Sequence, residues 1–175
     1  MSDDGIRIVR ANAPRGEHHR IPVATKGARL CIDIGTHMGW AIRLGRHTRS
    51  GTKDFSPGPH DPIGTRFHKF RAWLLEIIDH NPIGEIYFED VRGHKGTDAA
   101  HIYGGFLAHL TEVCVSRNMS CRGVHTATIK QHVTGKGNAK KQEVMAALRG
   151  LGYTPKDDNE GDALALLDYI CGDEK

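Results

Sequence analysis

Apolar and polar positions divide the first half of the chain into three predicted strands and a helix. The stretches 29–34 and 39–44 are short apolar runs joined by turn residues, and the more polar stretch 47–55 follows as a third strand. Within 61–80 the apolar side chains recur at helical spacing, and an Asn-Pro pair ends that pattern. The pattern predicts a three-strand meander followed by an amphipathic helix.

Strands and helices alternate in the second half. The apolar stretch 85–91 indicates a buried strand, 97–117 a helix, and 119–126 a further strand. From residue 127 onward the pattern is helical, with a Gly-rich interruption at 135–138, and the order closes with two helices. It predicts an α/β domain in which a mixed five-stranded sheet, a meander followed by parallel strands, is flanked by helices.

Charge and composition divide the chain into an arm and a domain. Residues 1–27 mix Gly, Pro, Arg and His without periodicity, which indicates a flexible basic arm ahead of one domain at 28–175. The formal net charge is only +3, but basic residues gather in the first third and at 130–141, whereas acids gather at 157–162. We therefore expect basic surfaces around an acidic centre.

Two classes of protein are disfavoured by the same composition. No apolar run is long enough for a membrane span or a signal peptide, so we expect the protein in the cytoplasm, without a membrane partner. The 4 cysteines lack the paired spacing of a zinc site. They are interpreted as buried thiols.

Two acids lie at the ends of predicted strands. Asp33 interrupts an apolar run between Ile32 and Ile34, and Glu89 ends a second apolar strand. A carboxylate is costly to bury unless it is paired or binds a cation. Because the carboxyl ends of parallel strands meet, Asp33 and Glu89 can form an oxygen-rich site suited to Mg²⁺. Strand alternation leaves a solvent-facing Asp33 equally open, and it favours Glu89 over Asp90, which points to the opposite face.

A third group of acids opens the last predicted helix. Asp157 as N-cap and Glu160 three residues later predict a capping box, which is a structural role. Asp158 and Asp162 remain on one face of the helix, where like charges repel unless a cation lies between them. The alternative is an acidic first turn that complements the helix dipole, which suits Asp158 better than Asp162.

Four sequence blocks follow one another in a specific order. They are IDIG and then GWA within 32–41, FE at 88–89, IKQHVTGKGNAKK at 129–141, and GDALA at 161–165. In these blocks, which span about residues 29–171, the chain resembles the RuvC family of Holliday junction resolvases, which have a ribonuclease-H-like fold. The third block is the most specific.

The resemblance implies a Mg²⁺-dependent crossover junction endodeoxyribonuclease with two metal ions, for which Mn²⁺ can substitute. The family's first-strand Asp, its Glu and the last acid of its final helix match Asp33, Glu89 and Asp162. Where the family has its other helix acid, this chain has Asn159. We assign that ligand to Asp158, with Asn159 as a weaker oxygen donor.

The resemblance also implies contacts with branched DNA. Lysines of the third block contact DNA and the reacting phosphate in the family, which gives Lys141 a catalytic role here. The predicted DNA-binding residues are Lys130, Lys136, Lys140, Lys141 and Arg92. Family members insert an aromatic residue into the junction, whereas this chain has Val91 and Arg92 at that point. We expect a divergent, phage-type member that acts on nucleoid or replicating phage DNA.

A four-way junction is two-fold symmetric and needs two symmetric nicks, so a homodimer is expected. The helix predicted at 97–117 is the candidate interface, although its apolar residues fit packing against the sheet equally well. The residues concerned are Ile102, Gly104, Gly105, Phe106 and Leu110.

Two other functions stay open. The stretch IDIGT at 32–36 also resembles the phosphate-binding hairpin of phosphotransferases of the actin and sugar-kinase type, although such folds need a second domain of this kind. Asn159 in place of a family acid fits a branched-DNA-binding module without catalysis. Mg²⁺-dependent cleavage of a synthetic junction distinguishes the three functions.

Overall fold

The computed structural model describes residues 27–93 and 96–172. All but the last residue of the basic arm predicted at 1–27 therefore lies outside the described residues, as does the end of the predicted domain at 173–175.

The described residues form a mixed five-stranded sheet at the centre of the fold. Its strands are β1 (Ala28–Asp33), β2 (His37–Leu44), β3 (His47–Asp54), β4 (Ile83–Asp90) and β5 (Ser120–His125). Their spatial order is β3-β2-β1-β4-β5. The β1–β2 and β2–β3 pairs are antiparallel, and the β1–β4 and β4–β5 pairs are parallel. The predicted meander followed by parallel strands is confirmed.

Five helices of the described residues flank this sheet. They are α1 (Thr65–His80), α2 (Thr97–Ser116), α3 (Thr126–Thr134), α4 (Lys141–Gly150) and α5 (Asp158–Cys171). None of them is both long and apolar enough to cross a bilayer.

The helices differ from the sequence prediction in two respects. Three helices instead of two follow β5, although the predicted interruption at 135–138 is confirmed: Gly135 closes α3 in the left-handed conformation, with φ 75°, that glycine adopts without strain, and α4 begins at Lys141. The first helix begins at Thr65 and not at Asp61, because the Asp61 carboxylate accepts the backbone N–H of Gly58 at 2.8 Å in a turn before it.

The sheet separates two hydrophobic clusters. Helices α1 and α2 pack on one face, where Phe70 and Phe106 are fully buried and their rings meet edge to face with centroids 5.3 Å apart. Helices α3, α4 and α5 pack on the other face, where Leu148 and Leu166 are fully buried. The apolar runs of β1 and β4 are thus covered from both sides, as parallel strands require.

Gly39 of β2 lets α5 approach the sheet closely. A Cβ atom at this position would overlap the backbone oxygen of Asn159, the second residue of α5. In the β1–β2 register, Gly39 is the partner of Asp33. The start of α5 therefore crosses the sheet beside the end of β1.

Two side-chain hydrogen bonds hold the same end of α5 on β3. The hydroxyl of Ser50 donates to Oε1 of Glu160 at 2.7 Å, and the hydroxyl of Thr52 donates to Oδ1 of Asp157 at 2.6 Å. The polar composition of β3, which made it the least apolar of the predicted strands, provides these donors.

We expect Gly39→Ala to destabilise the fold by about 1–3 kcal/mol, the usual cost of overpacking, because rigid backbone on both sides opposes the added methyl group. Chemical denaturation measures the free energy of unfolding. Gly35→Ala is the matched control, since its Cβ would meet only the backbone oxygen of His37 at 3.7 Å. Equal unfolding free energies for the two variants would show that α5 does not depend on Gly39.

Candidate metal centre

The strands β1 and β4 lie side by side, and each carries an acid at its carboxyl end. Ile32 pairs with Phe88 in the parallel register, so the residues that follow them, Asp33 and Glu89, are neighbours. Glu89 is buried, with 9% of its surface exposed, whereas Asp90 lies 3.3 Å from the Arg92 side chain. This is the adjacent placement of Asp33 and Glu89 that the sequence predicted.

Helix α5 brings the third carboxylate. Asp162 follows Asn159 by about one helical turn, and the backbone of Asn159 lies against Gly39. One carboxylate oxygen from each of Asp33, Glu89 and Asp162 lies within 4.8 Å of the other two. We call these three residues the acid cluster.

Burial and the charges of neighbouring carboxylates raise the pKa values of Asp33 and Asp162. The pKa of Asp33 is raised well above its ordinary value, first by burial and then by the charges of Glu89 and Asp162. Burial, followed by the charge of Glu89, raises the pKa of Asp162 to about 6. A group of hard oxygen donors that repel one another fits a divalent cation, whose charge would remove the repulsion.

Two of the predicted lysines act electrostatically on the acid cluster. The charges of Lys141 and Lys130 lower the pKa of Asp162, against the effect of burial, and Lys141 does the same for Asp33. Lys130 lies in α3 and Lys141 is the first residue of α4. The structure therefore brings both ends of the 130–141 segment to the carboxylates.

Asp158 and Asn159, the two alternatives for a fourth ligand, lie in the first turn of α5. Within the described residues, Asp158 does not belong to the acid cluster. Oδ2 of Asp158 lies 3.6 Å from Nζ of Lys141, and its charge contributes to the raised pKa of Asp162, so Asp158 is within electrostatic reach of the cluster. The assignment of the fourth ligand to Asp158 stays a prediction.

The capping of α5 differs from the prediction in one detail. Asp157 accepts the backbone N–H of Glu160 at 2.9 Å, which confirms the N-cap. The predicted reciprocal bond is wrong, because Glu160 accepts the N–H of Lys156, one residue before the N-cap, at 2.8 Å. The other carboxylate oxygen of Glu160 accepts the Ser50 hydroxyl. Glu160 is 4% exposed and joins the helix to the sheet.

The other predicted DNA-binding residues are exposed at the surface. Nζ of Lys136 lies 3.2 Å from Oε1 of Glu143, and Lys140 is the N-cap of α4, whose backbone N–H donates to Oε2 of Glu143 at 2.8 Å. Arg92, with 75% of its side chain exposed, follows β4 and its acids. The cationic groups of Lys136 and Arg92 thus lie in solvent, each beside an acidic side chain, Glu143 and Asp90 respectively.

A buried acid in α5 was missed by the sequence reasoning. Asp168 is 3% exposed; it accepts the Tyr153 hydroxyl at 3.0 Å and lies 3.1 Å from Nε2 of His132. These contacts tie α3 and the α4–α5 connection to the helix that carries Asp162. The signal was available, because an acid at the end of the apolar stretch 163–167 needs partners when it is buried.

A curated protein is similar in sequence to this chain, whereas no family model matches the chain. A crossover junction endodeoxyribonuclease RuvC of Dehalococcoides mccartyi is 27% identical over 124 residues. The match covers 69% of this chain and 74% of that protein.

Solved structures share the fold. A RuvC structure of Thermus thermophilus has a TM-score of 0.69 at 22% identity, covering 84% of this chain and 96% of that one. RuvC of T. thermophilus in complex with a Holliday junction substrate has a TM-score of 0.67 at 22% identity, and the match covers 79% of this chain and 89% of that one. The yeast mitochondrial Holliday junction resolvase Ydc2 has a TM-score of 0.60 at 10% identity, and the match covers 82% of this chain and 77% of that one. These likenesses confirm the ribonuclease-H-like fold and, with the sequence relative, the resemblance to the RuvC family.

We expect Asp162→Asn to raise the melting temperature in EDTA, because it removes a charge that Glu89 repels; each kcal/mol of relieved repulsion corresponds to about 2–4 °C in a chain of this size. Added Mg²⁺ should raise the melting temperature of the wild type but not of this variant, since bound ligand stabilises only a folded site that retains its donors. Thermal unfolding with and without Mg²⁺ measures both effects.

Asp98→Asn serves as the matched control, because Asp98 is an exposed acid in the first turn of α2. Added Mg²⁺ should raise the melting temperature of this variant as much as that of the wild type. If Mg²⁺ raised the melting temperature of Asp162→Asn as much as that of the wild type, Asp162 would not be a metal ligand.

Proposed function

We propose that this chain is a structure-selective endodeoxyribonuclease that resolves Holliday junctions or other branched DNA. The observation that carries the proposal is the acid cluster, formed by two strand ends and one helix and flanked by Lys130 and Lys141. The sequence relative is a crossover junction endodeoxyribonuclease, and one structural relative is bound to a Holliday junction substrate. We place this activity in the cytoplasm, on nucleoid or replicating phage DNA.

Mg²⁺ is the proposed cofactor, as two ions held by Asp33, Glu89 and Asp162, with Mn²⁺ as a substitute. Asp158 is the proposed fourth ligand, because it precedes Asp162 by one turn and its partner, Lys141, is an exposed side chain that a phosphate can attract. Bound divalent ions activate water and stabilise charge on the leaving oxygen in phosphodiester hydrolysis.

The lysines of the 130–141 segment have two proposed roles. Lys141, which acts electrostatically on Asp33 and Asp162, is placed to stabilise the negative charge of a phosphate at the acid cluster. Lys136 and Lys140 are exposed and hold neighbouring phosphates, as Arg92 does after β4. The basic side chains around the acid cluster thus position the DNA strand.

A two-fold homodimer is also proposed, because a four-way junction needs two symmetric nicks. Phe106 and Leu110 are fully buried in the monomer, and a Cβ atom at Gly105 would overlap the Phe67 ring of α1, so these residues of α2 serve the core. Gly104 has open space around it and Val115 is 81% exposed. The exposed side of α2 is the surface left for a second subunit.

The alternative of a binding module without catalysis fits the structure less well. Such a module has no use for three carboxylates so close together that, beyond the effect of burial, the charge of Glu89 raises the pKa of both Asp33 and Asp162. Such an arrangement is costly unless a cation occupies it.

Asp33→Asn should abolish junction cleavage in Mg²⁺ while junction binding survives, because it removes a metal ligand and leaves the basic residues in place. A synthetic four-way junction labelled on one strand measures binding in EDTA and cleavage in Mg²⁺. Asp157→Asn is the control, since asparagine caps a helix as well as aspartate does and the variant should cut at the wild-type rate.

Retained nicking by Asp33→Asn would contradict the assigned ligand set. A wild-type protein that binds the junction but cuts no branched DNA in Mg²⁺ or Mn²⁺ would contradict the proposed function itself.

The lysines should separate kinetically. Lys141→Ala is expected to lower the cleavage rate at saturating DNA, because it acts at the reacting phosphate. Lys136→Ala should raise the dissociation constant and reduce its salt dependence by about one unit, the effect of one lost phosphate contact. Single-turnover cleavage and binding titrations at several salt concentrations measure the two effects. If both variants kept the cleavage rate, the affinity and the salt dependence of the wild type, Lys136 and Lys141 would not contact the DNA.

A further inference from the structure

Helix α3 packs on the core through one apolar stripe and carries polar side chains on both flanks of it. Ile129 of this stripe is 4% exposed and belongs to the hydrophobic cluster that α3 shares with α4 and α5. At about 100° per residue, Lys130 lies on one flank of Ile129 and His132 on the other. Hydrophobic contacts are non-directional, so this packing alone does not fix how α3 is rotated about its axis.

Both flanks of α3 interact with α5. The charge of Lys130 acts on Asp162 of the acid cluster, and Nε2 of His132 lies 3.1 Å from Oδ2 of Asp168. Asp168 follows Asp162 by six residues, which is about 9 Å along a helix. The rotation of α3 is therefore fixed at two separate points of α5, with Lys130 at the acid cluster and His132 near the carboxyl end of the helix.

Asp168 is itself held by a chain of hydrogen bonds that begins on the sheet. Nη2 of Arg43, in β2, donates to the Tyr153 hydroxyl at 3.2 Å, and this hydroxyl donates to Oδ1 of Asp168 at 3.0 Å. Burial and the bond to Asp168 raise the pKa of Tyr153 to about 12, so the hydroxyl keeps its proton at neutral pH. The Asp168 carboxylate thus has a fixed orientation, in which Oδ2 is directed at His132.

The His132 ring is also fixed in orientation. An ionised carboxylate only accepts hydrogen bonds, so Nε2 of the ring is the donor to Asp168. The ring meets Tyr169 edge to face with centroids 5.5 Å apart, and a Cβ atom at Gly172 would lie 3.4 Å from Nε2. The end of α5 therefore packs closely against the ring.

An acidic and a basic side chain are not the strongest means of holding two helices together. A well-packed apolar pair often gives equal or greater stability than a buried ionic pair, because charged groups lose their hydration on burial. The hydrogen bond from His132 to Asp168 adds direction, because its strength depends on angle as well as distance. The pair therefore fixes the rotation of α3 more narrowly than apolar packing does.

We propose that His132 is a positioning residue for DNA cleavage: its bond to Asp168 fixes the rotation of α3 and thereby holds Lys130 beside the acid cluster. The inference rests on the proposed function and adds to it a residue that acts without touching the reacting phosphate. Lys130 is the group that acts there, since its ammonium can stabilise the charge of a phosphate bound at the carboxylates. A small displacement of such a group lowers the reaction rate although the group is still present.

The test is cleavage of a synthetic four-way junction by the full chain under single-turnover conditions in Mg²⁺. His132→Ala should lower the cleavage rate at saturating DNA about tenfold, because it displaces Lys130. Its dissociation constant in EDTA should stay within about twofold of the wild type, because the lysines that attract phosphates remain. His132→Gln should recover most of the rate, because the glutamine Nε2 can donate to Asp168 in place of the ring nitrogen.

A double-mutant cycle separates positioning from a general loss of stability. Lys130→Ala should itself lower the cleavage rate. Adding His132→Ala to it should then change the rate less than about twofold, because His132 acts through Lys130.

Arg71→Ala is the matched control, because it breaks another pair between two helices. Nε of Arg71 in α1 lies 3.5 Å from Oε2 of Glu112 in α2, on the other face of the sheet from α3. This variant should cut at the wild-type rate. If His132→Ala does not fold, as judged from thermal unfolding, His132→Leu takes its place, since leucine fills the space of the ring without a donor; it should show the same lowered rate.

Four results would overturn the inference while leaving the proposed function intact. They are a wild-type rate in the folded His132→Ala or His132→Leu variant, a wild-type rate in Lys130→Ala, the same fold-loss from His132→Ala with and without Lys130, and a His132→Gln variant that cuts no faster than the alanine or leucine variant. Absence of cleavage by the wild type would instead contradict the proposed function.

Discussion

The close contact between α5 and β2 is the constraint on which the site depends. Gly39 is the strand partner of Asp33, and only a residue without Cβ admits the backbone of Asn159 at that point. The next turn of the helix then places Asp162 beside Asp33 and Glu89. A single missing methyl group in β2 thus lets a third carboxylate join the two acids at the strand ends.

Several buried and half-buried acids of this chain fall into two kinds. Glu85, Glu160 and Asp168 accept hydrogen bonds from Tyr87, Ser50 and Tyr153, so their charges are compensated within the protein. Asp33, Glu89 and Asp162 instead lie close to one another, and within the part of the chain that the structure describes the charges of Lys141 and Lys130 act against their repulsion. The fold offsets this local cost with hydrophobic clusters on both faces of the sheet. Stability is therefore supplied away from the site, and charge is concentrated in it.

Periodicity and strand-end position were sufficient to predict a meander followed by parallel strands, and to make Asp33 and Glu89 candidate neighbours, because both follow from local pattern and the parallel connection rule. The partner of Glu160 was not predictable, because it depends on how β3 lies under α5, which the sequence around Glu160 does not encode. The same limit applies to Asp158, whose partner Lys141 comes from another helix. Asp168 was missed although its burial left a visible signal. Contacts between distant segments are thus the part that local pattern leaves undetermined.

The contact between Gly39 and Asn159 joins the second strand to the last described helix, with most of the chain between them. Ribosomes synthesise proteins from the N-terminus, and domains mature as their later segments emerge. A nascent chain that has completed the sheet already carries Asp33 and Glu89, but it lacks the helix that supplies Asp162. The order of synthesis therefore delays assembly of the acid cluster until α5 has left the ribosome, so an incomplete polypeptide holds only two of its three carboxylates.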